Sequence, residues 1–244
     1  MRYSVLTYAA SEKANAMGPS TIDPRTGEIL EADIIWWHNV QSLISEWITV
    51  QTGAVDPRAR SLELPIELIG DAVRFVACHE VGHSLGLRHN MMASAAYPTD
   101  SLRSASFTSR VGGTSASIMD YARFNYVAQP GDNVKVMSPN IGPYDLMAIE
   151  WGYRWYPTGT DEEQVLSEFI SKYKGKEYRY SEAQDQRSAV DPRALSEDLG
   201  DDPVKSARLG IENLKRIMPN LIEWTRNNKL GQNYDEAANL YSAV

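Results

Sequence analysis

The run H-E-V-G-H-S-L-G-L-R-H at residues 79–89 constrains this chain more than any other stretch. Its first half has helical spacing: at about 100° per residue, His79 and His83 share one face a turn apart, and Glu80 lies beside them. Gly86 then ends the helix, because glycine takes a left-handed conformation without steric penalty, and the turn swings His89 toward the same point from another direction. The fold must bring a helix C-terminus, a sharp turn and a loop to one shared centre. Three converging imidazoles leave a fourth position open, the arrangement of a catalytic rather than a structural zinc site, and Glu80 stands where a carboxylate can take a proton from an attacking water. H-E-x-x-H alone arises by accident about once in a few hundred such chains, whereas Gly86 and His89 bring the odds to roughly one in a hundred thousand. The plain alternative is a structural zinc site, or core histidines beside a surface glutamate. Against it, three of the chain's four histidines fall in this one motif.

With 244 residues, 43% of them hydrophobic, the chain has material for one large domain or two small ones. A formal charge of -8 without a cluster of Lys and Arg argues against a nucleic-acid partner. Cys78, the single cysteine, cannot form an internal disulfide, and it reads as an inert buried thiol rather than a ligand. No apolar run approaches the roughly 20 residues of a membrane span, and no signal peptide is visible. Both ends of the sequence are abrupt, so the chain is expected to be a segment of a longer polypeptide with further domains.

Strands are expected near residues 2–9 and 29–37, joined by a turn at Asp23–Gly27. Val40, Leu43, Ile44, Trp47 and Ile48 mark one face of a helix that stops at Gly53, and residues 54–64 form a loop. From Pro65 to Leu85 the pattern is that of a centrally buried helix, apolar on more than one face. Residues 90–117, rich in Ser, Thr, Ala and Gly, read as a surface excursion bordering a cleft, with a short strand at Ala105–Val111. A helix from Tyr144 to Ile149 ends at Gly152. Thr160 and Glu163 make a capping pair for a helix carrying Val165, Leu166, Phe169, Ile170 and Tyr173, and residues 176–201 look irregular. Asp202 and Pro203 open another helix, whose buried face is read as Val204, Ala207, Ile211, Leu214 and Met218 until Pro219 breaks it; Asp235–Tyr241 is helical again. His38 reads as a cap or packed residue, and the acidic run 197–202 as a solvated loop with a helix cap.

Thirty residues beyond His89 comes Ser117-Ile118-Met119-Asp120-Tyr121. The long histidine motif followed by this methionine turn resembles the metzincin clan of zinc peptidases, and within it the bacterial met-zincin family. The Val81–Leu87 core is also similar to that of matrixins, but matrixins lack the tyrosine, and Asn90 is not their usual serine. Asp120 replaces the histidine common in the astacin turn. The resemblance implies an α+β catalytic domain over residues 1–157, lacking its N-terminal part, with a twisted mixed sheet, an active-site helix and the methionine turn, followed by an α-helical extension over 158–244. It implies one catalytic zinc on His79, His83 and His89, Met119 as an apolar floor beneath them, and Tyr121 either binding the metal or stabilising the oxyanion. A protein or peptide substrate would add to a sheet edge as another strand. The family likeness further implies a secreted, periplasmic or cell-surface zinc endopeptidase with Glu80 as general base. The rival reading is a zinc-containing but non-hydrolytic peptide-binding module, or an inactive fragment of a larger surface protein.

Overall fold

A small mixed sheet and the first helix form one wall of a cleft, and the histidine helix forms its base. The computed structural model describes residues 3–182, 191–226 and 234–244. β1 (Leu6–Ala9) runs parallel to β5 (Ile34–Trp37), and β2 (Ala16–Met17) lies antiparallel on the other side of β5, giving the order β1-β5-β2. β3 (Ser20–Ile22) and β4 (Ile29–Ala32) form a separate hairpin. Its turn is built at Asp23, whose Oδ1 accepts from Arg25 N, and closes through Gly27 at φ +76. The single strand expected over 29–37 is therefore two. Asp33 divides them, its carboxylate accepting from Val5 N at 2.9 Å while its own N–H turns to Pro19 O.

α1 (Val40–Thr52) buries Val40, Ile44 and Ile48 at helical spacing against α2 (Ile66–Ser84), whose facing side carries Ala72 with Leu68, Val73 and Val76. α1 stops at Gly53, but in a right-handed conformation, φ -58. Arg60 caps its end by donating to Gly53 O and Ala54 O. α2 packs on two core clusters, one with α1 and one with Ile118 and Met119, but it is not buried all round: Ile66 and Val81 are exposed.

Beyond the histidines come the short α3 (Thr99–Leu102) and α4 (Ala105–Val111). The latter corrects the strand expected there. Ser104 Oγ accepts from Phe107 N, Gly112 ends the helix at φ +75, and Phe107 and Val111, four residues apart, pack on one cluster. α5 (Pro143–Tyr153) starts at Gly142. α6 (Glu162–Ser171) starts from Asp161, whose carboxylate accepts from Gln164 N; the expected partner Thr160 donates to Pro157 O instead.

α7 (Pro203–Ile217) is capped by Asp202, which accepts from Lys205 N. Its inward face differs from the apolar stripe read in the sequence. Ser206, Asn213 and Ile217 are buried, whereas Val204, Ile211 and Met218 are exposed. Two of these inward residues are polar, and each is satisfied: Asn213 Nδ2 donates to Tyr126 O and Ala128 O, and Ser206 Oγ donates to Leu199 O. α8 (Leu221–Trp224) and α9 (Asp235–Ala243) complete the chain. Leu221, Leu240 and Ile217 pack directly on Val50 and Ala54 at the end of α1. Among the described residues, no helix is long and apolar enough to cross a membrane.

Candidate metal centre

α2 delivers His79 and His83 one turn apart and then ends in a tight reversal. Gly86 sits at φ +84, Gly86 N donates to His83 O and Leu87 N to Gly82 O, the double bond pattern that closes a helix on a left-handed glycine. His89 returns to the same point. The three Nε2 atoms stand 3.2, 3.1 and 3.0 Å from one another.

The outer nitrogens fix what those contacts are. His79 Nδ1 lies 2.8 Å from Ile118 O and His83 Nδ1 lies 3.0 Å from Leu87 O. A carbonyl oxygen only accepts, so both Nδ1 atoms carry the proton and both Nε2 atoms turn bare lone pairs toward each other. Burial pushes the His79 imidazolium down to about 3, and the neighbouring His83 and His89 push it further the same way, outweighing the bond to Ile118. Burial also lowers His83. Neutral imidazoles with facing lone pairs repel unless a cation lies between them. Ligands about 2.0–2.1 Å from a tetrahedral zinc ion stand roughly 3.3 Å apart, close to the observed spacing. The donor set thus fits a zinc ion, and these residues form the one such cluster among the described residues.

Glu80 lines the same pocket, of about 590 Å³, with the three histidines, Tyr121, Arg123 and the strand segment Asn15–Pro19. Burial pushes its carboxyl up to about 7, opposed by a hydrogen bond from Gly18 N–H. Gly18 went unremarked in the sequence. A Cβ there would sit 2.6 Å from Glu80 O and 3.1 Å from His83 Cβ, so only glycine lets the strand edge approach the helix this closely.

Met119 is fully buried below the helix, against Phe75 and Ile118, with Cys78 at the margin of the same cluster. Its sulfur occupies the space a Cβ on Gly82 would fill, 2.3 Å from that position. The glycine between the two helical histidines therefore admits the methionine. Asp145, also overlooked in the sequence, holds this turn. Its carboxylate accepts from Ile118 N and Gly142 N, each at 2.7 Å, and from Ser117 Oγ. The same Ile118 turns its carbonyl to His79. Gly-Pro-x-Asp at a helix start was the available clue, but it announces a cap and not its long-range use.

Tyr121 lies over the histidines, its ring centroid 4.6 Å from that of His89 and 5.6 Å from that of His79. Arg123 beside it stacks 4.1 Å above Trp47 and pairs with Glu197. His38 stays outside the pocket, bonded to Tyr8. The acidic run is not a free loop. Glu197 pairs with Arg123, Asp198 accepts from Ser94 Oγ and Asp201 from Thr99 N, so these carboxylates dock the C-terminal segment on the body while Asp202 caps α7.

No curated protein and no solved structure matches this chain. A family profile described as Met-zincin matches residues 61–244, a span that takes in the histidine helix, the methionine turn and the C-terminal helices. With the α+β architecture and the three-histidine cluster on which it converges, the chain belongs to the Met-zincin family.

Proposed function

We propose that the protein is a zinc-dependent endopeptidase, in which His79, His83 and His89 hold one ion through Nε2 and Glu80 is the general base. The observation that carries this reading is the convergence of three Nε2 atoms within 3.2 Å beside a buried carboxyl in one open pocket. Bound there, the ion would supply Lewis acidity, polarising the scissile carbonyl and making a water ionise near neutral pH.

Glu80 takes the proton of the attacking water and passes it to the leaving amine. Its carboxyl, raised to about 7 by burial, is matched to proton transfer near neutrality. Gly18 N–H orients that carboxyl. Tyr121 donates its phenolic hydrogen to the charge that develops on the carbonyl oxygen, from a ring held against His79 and His89. The peptide lies extended along β2, an edge strand whose free side faces the pocket, so backbone pairing gives affinity and the wall of Val40, Leu43, Trp47 and Phe75 receives side chains.

The test is metal content and cleavage of an unfolded protein substrate on one preparation. Wild type should carry one zinc per chain and lose cleavage to a chelator. Glu80→Gln should keep the zinc and lose about 100- to 10,000-fold in kcat. Full cleavage by Glu80→Gln would refute the assignment of the base, and stoichiometric zinc without any cleavage by wild type would favour a peptide-binding module.

A further inference from the structure

Two of the three histidines are placed by the helix that carries them, but His89 lies on a loop and needs another support. The residues on either side of it are gripped by a segment some ninety residues further along. Asn90 Nδ2 donates to Arg179 O at 2.9 Å, and Asn90 Oδ1 accepts from Ser181 N at 3.1 Å. Met91 N donates to Ser181 O at 2.8 Å, and Arg88 pairs with Glu182 at 2.6 Å. On the other side, Asn90 N donates to Met119 O at 3.0 Å. Asn90 is fully buried, so its own bonds are made away from water, whereas the Arg88–Glu182 pair is exposed.

We infer that Asn90 is a positioning residue for the third metal ligand, and that residues 179–182 are a working part of the metal centre. The inference rests on the reading of the three histidines as a zinc site. The carboxamide acts as an extra peptide group, one donor and one acceptor in a single plane, inserted into a short ladder between the His89 loop and the C-terminal segment. Asparagine alone meets that demand: aspartate lacks the donor, serine is too short to span both partners, and glutamine is too long. Through Asn90 N the same residue is tied to the methionine turn, whose Ile118 carbonyl orients His79. His89 is thereby held in register with His79 by one buried side chain and its own backbone.

The experiment uses the full chain as wild type, Asn90→Ala and Asn90→Ser. Zinc affinity is measured by chelator competition, the visible spectrum is recorded with Co(II) in place of zinc, and far-UV circular dichroism and the melting midpoint are taken without metal. Outer groups that orient a ligand typically change metal affinity about 10- to 100-fold. Asn90→Ala should bind zinc more weakly by that factor and show shifted cobalt bands while the metal-free fold is retained. Asn90→Ser should fall between it and wild type, and decides the matter if Asn90→Ala does not fold. Wild-type affinity and unchanged cobalt bands in both variants would overturn the inference while leaving the zinc reading intact, as would a drop in metal-free melting alone. Absence of metal binding by wild type would overturn both.

Discussion

Two places in this molecule force like groups together, and they resolve the conflict differently. At the pocket, three imidazole nitrogens face one another within 3.2 Å. Behind it, two carboxylates share Ser94: Asp120 Oδ2 accepts from Ser94 N at 2.6 Å and Asp198 Oδ1 from Ser94 Oγ at 3.0 Å. His79 and His83 point lone pairs, and His89 its Nε2, at a common centre that opens on a pocket, with backbone carbonyls holding His79 and His83 from outside. Asp120 is sealed from solvent and its Oδ1 has no hydrogen-bond partner among the described residues. Burial raises Asp120 well above the ordinary carboxylate range and pushes Asp198 up to about 6, so this pair takes up protons more readily than ordinary carboxylates do. Burial of like groups does not by itself mark a metal site; lone pairs converging on a common, open centre do.

The sharpest way to break this contrast is to withhold the proposed zinc. A ligand present at 1,000 times its Kd stabilises a fold by about 4 kcal/mol. A chelator should accordingly lower the wild-type melting midpoint, and His83→Ala should bind no stoichiometric zinc and show no such response in calorimetry. A chelator response preserved in His83→Ala would place the cation elsewhere. Next comes the floor. Met119→Ala should cost about 2–5 kcal/mol in denaturant unfolding, as a large buried side chain is lost with incomplete collapse. Gly82→Ala attacks the same contact from above by overpacking Met119, and should cost about 1–3 kcal/mol.

The smallest effect belongs to the carboxylates. Asp198 titrates at about 6 in the folded protein against 3.8 for an ordinary aspartate, so the folded state holds its proton more tightly. Its contribution to stability is fully present below about pH 4 and is lost as pH rises through 6. Asp198→Asn should flatten that part of the stability profile; an unchanged slope from pH 4 to 7 would show that this carboxyl is not relieved by a proton.

What could be read from the sequence divides along the same line between local and distant. His79, His83 and Gly86 lie within one helix and its end, where periodicity and left-handed glycine geometry speak directly, and Asp202 announced its cap in the same way. Asp145, Asn90 and Gly18 did not, because each acquires its role from a partner far away in sequence: Ile118 lies 27 residues from Asp145, and Arg179 lies 89 from Asn90. α4 differs from the short strand expected at Ala105–Val111, because its Ser104 cap and left-handed Gly112, local signals of a helix, outweigh a Ser- and Thr-rich composition. α7 was read with the wrong face inward, since an apolar stripe does not reveal that Asn213 has backbone carbonyls to meet.

The ties around the centre also span long stretches of chain. His79 reaches across 39 residues to Ile118, Asn90 across 89 to Arg179, and Ser94 across 104 to Asp198. Contacts of that separation form late, since the intervening chain must be confined before they contribute anything in return. During synthesis α2 can present two histidines while the segment that steadies the third is still unmade. A ribosome must carry the chain past Ser181 before the loop between α2 and the methionine turn has both of its supports, so metal captured earlier would be held by a half-built nest.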